Sequence, residues 1–206
     1  MVSRITLLRR GFWAEYASLA WMLVESLVAI SGGLVAGSLA LLAFGGDSFI
    51  ELISSYVVAV YIRNLLRNPE ATRREVGSEQ VERFTTLLLI SLIPMIALGG
   101  IYSYLSRIEP QSSLAGIAIA SGAIVIMPIL WFEKKRIGKQ ADCRPLSIDA
   151  IESVTCFLMS VALLGGLLIN YFLHIPWIDY VATAIILAFV AKEAAESLRE
   201  FGKRDA

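Results

Sequence analysis

Charge is scarce in this chain of 206 residues: Asp, Glu, Lys and Arg make up 17% of it, against about 25% in an average soluble domain. Eighteen basic and eighteen acidic side chains cancel, so no basic excess marks a nucleic-acid surface. Cysteine occurs twice, too rarely for a disulfide scaffold. Histidine occurs once. No His-rich motif, Ser–His arrangement or phosphate loop is present, so nothing supports an enzyme. Apolar residues fill the gap, at 57% with a mean hydropathy of +0.69. That is too apolar for disorder. It indicates an all-α polytopic membrane protein.

A spanning helix needs about 20 mainly apolar residues. Six stretches qualify: 12–33, 38–61, 84–104, 114–132, 148–172 and 178–195. The connections 33–38 and 172–178 are short, so each flanking pair reads as an antiparallel hairpin, with Pro176 marking the second turn. The connections after Tyr61 and Phe132 are longer and charged; Asn68-Pro69 and Gly77-Ser78 punctuate the first. Six residues follow Glu200, so the expectation is a single transmembrane domain spanning 1–206 with no soluble domain. The basic start followed by an apolar run resembles a signal peptide. The run is too long, however, and carries Glu25, so it reads as the first span.

Every Lys and Arg except Arg107 falls in the N-terminus, the second-to-third loop, the fourth-to-fifth loop or the C-terminus, counting helix ends. The positive-inside rule then places both termini in the cytoplasm. Trp13, Trp131 and Trp177 lie near span ends, as interfacial anchors do. The expected setting is a multi-pass protein of the plasma membrane, with lipid as its surroundings.

An ionisable group inside a span costs about 2.5–3.5 kcal/mol on insertion scales, so it marks a site. Such groups are Glu25 in span one, Asp47 and Glu51 in span two, and Asp149 and Glu152 in span five. Asp179, Lys192 and Glu193 sit near the ends of span six, where solvent can serve them. Asp47 and Glu51 stand four apart, so they share a helix face about 6 Å apart along the axis. Two anions so placed in hydrocarbon call for a cation. Glu152 and Cys156 repeat the spacing in span five, at overlapping depth counted by helical rise. Cys156 reads equally as a small buried hydrophobe. Glu25 reads as a coupling residue or a partner of a neighbouring span. Asp149 reads as the N-cap of span five or a lining of the path to the site. His174 reads as a solvated turn residue and Cys143 as a free cytoplasmic thiol. The paired glycines read as close-packing positions.

The stretch from Gly37-Ser38 through Gly45-Gly46-Asp47 to Glu51 resembles the second span of cation diffusion facilitator transporters, where a Gly-Ser start leads to an acidic-xxx-acidic pair. Asp149 through Glu152 to Cys156 is similar to that family's fifth-span motif, with Glu152 in place of His and Cys156 in place of Asp. Trp177-x-Asp179 resembles the start of its sixth span. The chain looks like the small branch that lacks the cytoplasmic C-terminal domain.

The resemblance implies a divalent-metal efflux protein, with a tetrahedral site between spans two and five made by Asp47, Glu51, Glu152 and Cys156. The thiolate favours zinc first, then cobalt, iron(II) or cadmium; the carboxylates favour manganese or iron(II). No prosthetic group is implied. Four deprotonated ligands outweigh a dication, so an empty site must hold protons and release them as metal binds. Metal–proton antiport by alternating access is the expectation, with Glu152 as the proton carrier and a homodimer as the assembly. The competing expectation is a non-transporting assembly or modulator subunit that keeps the scaffold.

Overall fold

The computed structural model describes residues 4–67, 78–106 and 108–204, without the side chains at 78–85, 89, 144, 197 and 200–204. Asn68-Pro69, Gly77 and Arg107 lie outside the described residues. Six helices and no strand occupy the described residues: α1 (Arg4–Ala36), α2 (Leu39–Arg67), α3 (Ser78–Leu105), α4 (Leu114–Gln140), α5 (Arg144–Leu173) and α6 (Ile178–Arg204). The protein is therefore an all-α polytopic membrane protein. In lipid a backbone must satisfy its own hydrogen bonds, and a long helix does so within one segment.

Five of the six helices are long and apolar enough to cross a bilayer. The sixth, α6, is less apolar because it carries Asp179, Lys192, Glu193 and Glu196. It nevertheless packs along α2, α3 and α5 as a member of the bundle. Large apolar side chains such as Leu34, Val35, Tyr102, Leu114 and Phe172 stay exposed on the outer surface, where lipid would cover them.

The helices outrun the apolar stretches that announce them. Helix α1 begins at Arg4 and α4 continues to Gln140. The reason is a second apolar cluster beyond the main core. In it Leu7 and Leu8 of α1 meet Val58 and Ile62 of α2, Ile137 of α4 and Leu146 of α5. The main core lies midway along the bundle around Met22, Phe44, Met127, Met159 and Ile186.

Helix ends follow local chemistry. Gly37 turns the chain between α1 and α2 at φ +64°, a left-handed conformation that glycine adopts without strain. Ser113 caps α4 by accepting from the Gly116 amide at 3.1 Å. Helix α5 starts with Cys143 at the cap position and a proline in its first turn. Asp149 is thus inside α5, not its N-cap. At the other end the His174 amide donates to Asn170 O at 3.0 Å, with His174 itself in the left-handed region. Helices α1 and α2 pack closely at Gly45, where an added Cβ would lie 2.9 Å from both Ala29 Cβ and the Ile30 backbone nitrogen.

Candidate metal centre

The i, i+4 spacing of Asp47 and Glu51 puts both carboxylates on the inner face of α2. Their relative exposures are 0% and 2%, and none of their four carboxylate oxygens has a hydrogen-bond partner among the described residues. Glu193 of α6 joins them. One oxygen from each of Asp47, Glu51 and Glu193 can be chosen so that all three lie within 4.8 Å of one another. Glu193 Oε2 is also enclosed and without a partner.

Helix α5 borders this group. Glu152 Oε1 accepts from Ser54 Oγ at 3.4 Å, while its Oε2 is enclosed and unpaired. The Cys156 thiol, fully buried, donates instead to the Glu25 carboxylate of α1, at 3.7 and 3.9 Å to its two oxygens. The structure thus brings Asp47 and Glu51 together with Glu193. The expected fifth-span ligands fall outside that group: Glu152 accepts from Ser54 and Cys156 pairs with Glu25. Two anions one helical turn apart, with a third from a facing helix, form a centre that a cation would neutralise.

One turn further along α2, the chemistry is different. Ser55 Oγ donates to Asp149 Oδ1 at 2.7 Å. Lys134 of α4, fully buried, donates to Ser18 Oγ at 2.8 Å, pairs with Asp149, and lies 3.4 Å from Glu15 Oε2. Every charge in this layer has an opposite charge beside it. Lys134 is therefore more than a topology determinant. Glu15, also fully buried, lies within span one. Its spacing to Ser18, Met22 and Glu25, at steps of three and four along α1, is the signal that could have exposed it.

Asp179 is buried, and Glu193 is half-buried with Oε2 enclosed, rather than both being served by solvent. Asp179 Oδ1 accepts from Ser38 Oγ at 2.5 Å, and Oδ2 accepts from the Leu39 and Ala40 amides at 2.9 and 3.3 Å. Ser38 Oγ in turn accepts from the Leu41 amide at 3.2 Å. The first turn of α2 is thus capped from α6, which accounts for both Ser38 and Asp179. On α6 the buried series Asp179, Ala182, Thr183, Ile186, Val190 and Ala194 traces one helical face. Glu193 adjoins it, and that periodicity is the signal for its inward aim.

Cys143 is free, as expected, but it is packed into the second apolar cluster rather than facing solvent. Burial pushes its thiol above the ordinary cysteine range.

Comparison with known proteins supplies the family. The cation efflux transmembrane domain matches residues 16–203. The manganese efflux system protein MneS of Bacillus subtilis (strain 168) is 24% identical over 198 residues, which is 94% of this chain and 67% of that protein. Members of this family are transporters, not enzymes, and they work as multi-pass proteins of the membrane. This chain belongs to the cation efflux family.

Proposed function

We propose that this chain exports a divalent transition-metal ion across the plasma membrane in exchange for protons, by alternating access. The observation that carries the reading is the pair Asp47 and Glu51: two buried carboxylates, four oxygens, and no hydrogen-bond partner among the described residues. A carboxylate held in that way destabilises the protein unless a proton or a metal ion neutralises it. The same protein shows the alternative at Asp149 and Asp179, both of which are satisfied by neighbours. The unsatisfied pair is therefore set apart for a guest.

Asp47 and Glu51 bind the ion directly. Glu152 of the neighbouring α5 takes up the proton that metal displaces, its Oε1 steadied by Ser54. The cluster cannot remain fully ionised when empty, so metal and protons occupy it in turn, which is the logic of exchange. The excess of Lys and Arg at one set of helix ends supports a cytoplasmic position for both termini. The Bacillus relative is named for manganese efflux, and manganese is among the ions that carboxylate ligands accept.

The test is transport by the full chain in liposomes under an imposed pH gradient. Metal flux accelerated by an opposing proton gradient, with matching proton movement, is expected. Flux indifferent to that gradient would reject exchange. Asp47→Ala transporting at the parent rate would reject the site.

A further inference from the structure

The expected fifth-span ligand Cys156 is not part of the acidic cluster. The Cys156 thiol is occupied by Glu25, and the third oxygen beside Asp47 and Glu51 comes from α6. Building on the reading of this cluster as the transport site, we propose that Glu193 is a metal ligand. The ion is then held by an all-oxygen set, Asp47, Glu51 and Glu193, with Cys156 outside the coordination sphere. The site selects oxygen-preferring divalent ions of the Mn²⁺ type against the thiophilic Cd²⁺.

Three observations carry this. The first is reach. Ligand oxygens on opposite sides of one divalent ion stand about two bond lengths apart, with bonds of about 2.0–2.6 Å to oxygen. The 4.8 Å spread of the three oxygens lies within that span, so one ion can be bound with little movement.

The second is the lack of any other use for these groups. All four oxygens of Asp47 and Glu51 and Oε2 of Glu193 are enclosed without a partner. The other buried acid of α6, Asp179, has three donors. Helix α6 thus holds one carboxylate that finishes a helix and one, Glu193, with an enclosed oxygen that has no hydrogen-bond partner among the described residues.

The third is donor chemistry. Thiolate ligands draw zinc and cadmium, whereas carboxylates suit manganese and magnesium. Cys156 packs among Met159 and Leu163 in the apolar core and gives its hydrogen bond to Glu25. With the thiol engaged by Glu25, the proposed ligand set is all oxygen, and that set decides preference.

The experiment is a paired flux assay, Mn²⁺ and Cd²⁺ in separate runs, on the full chain in liposomes. The parent is expected to prefer Mn²⁺. Glu193→Gln should lower Mn²⁺ flux by about tenfold or more, since even residues that only support a ligand cost about 10–100-fold in affinity. Cys156→Ala should keep both fluxes within about twofold, as expected of a small packing residue. The decisive variant is Glu193→Cys, which should move the preference toward Cd²⁺, a gain that misfolding cannot produce. Parent-like Mn²⁺ flux in Glu193→Gln, or an unmoved preference in Glu193→Cys, overturns the assignment. Loss of Cd²⁺ flux alone in Cys156→Ala overturns it too, by returning the thiol to the site. Asp47→Ala separates the two levels: if it is inactive while Glu193→Gln is parent-like, only the α6 ligand fails. If Asp47→Ala transports normally, the cluster is not the transport site.

Discussion

Lys134 Nζ lies 3.4 Å from Glu15 Oε2, and both side chains are fully enclosed. With Asp149 on the other side of the ammonium, one cation answers two anions drawn from α1 and α5. Ser18 accepts from the ammonium and Ser55 donates to Asp149, which brings α2 into the same layer. Removing the cation leaves two buried carboxylates facing each other. Lys134→Met is expected to destabilise the fold by about 3–5 kcal/mol, the usual consequence of breaking a buried pair from one side. The triple change Lys134→Met, Glu15→Gln and Asp149→Asn should recover most of that loss. Thermal unfolding of the purified protein in detergent, followed by the monodisperse fraction, checks both. Equal instability in the single and triple variants would show that packing of the lysine stem, not charge, is responsible.

The metal cluster should behave in the opposite sense. Asp47→Asn and Glu51→Gln each remove a carboxylate that has no partner in the protein. Such a change is expected to leave the metal-free fold as stable as the parent or more so, while ending metal transport. A ligand that binds only the folded state raises its stability. Metal should therefore raise the melting temperature of the parent and not of these variants. Melting curves with and without Mn²⁺ measure the contrast; a metal-induced shift that survives in Asp47→Asn contradicts it.

The sequence makes one of these layers legible and hides the other. Asp47 and Glu51 stand out because acids inside an apolar run have no ordinary reason to be there. Lys134 stands next to Lys135 and Arg136, and in a linear reading it belongs to a solvated basic loop. Only the continuation of α4 to Gln140, packed on α1 and α5, turns it inward. Hydropathy finds where apolar side chains run out, whereas a helix ends where its backbone finds other partners. The two boundaries differ at Arg4, Gln140 and Arg144 for that reason. Glu193 was obscured in the same way. Its neighbours Lys192 and Glu196 are exposed and form an i, i+4 ion pair at 3.8 Å, so in a linear reading Glu193 belongs to the same solvated stretch.

Asp179 should matter for α2 more than for α6. Its two oxygens answer the Leu39 and Ala40 amides and the Ser38 hydroxyl. Asp179→Ala leaves buried donors at the start of α2 unpaired, and a loss of about 1–2 kcal/mol is expected, on the scale of a lost helix cap. Asp179→Asn keeps an acceptor and should lose less. Hydrogen exchange at the first turn of α2 reports this directly. Faster exchange at Leu39 to Leu41 is expected in the Ala variant, and unchanged exchange there would remove the capping role.

Cys143 offers a test of the packing at the helix ends. Its side chain sits among Leu7, Leu8, Ile62 and Leu146, and burial pushes its thiol above the ordinary range. The thiolate is the reactive form, so at neutral pH little of it is present, and what forms is enclosed. Maleimide labelling of the folded protein should be slow, should rise with pH only above the range of an exposed cysteine, and should become fast on unfolding. Leu146→Ala opens the cluster and is expected to speed labelling of the folded form. Rapid labelling of the parent at neutral pH would mean that the ends of α1 and α5 separate often. In that case the second apolar cluster would not be what holds α1 in register beyond its apolar run.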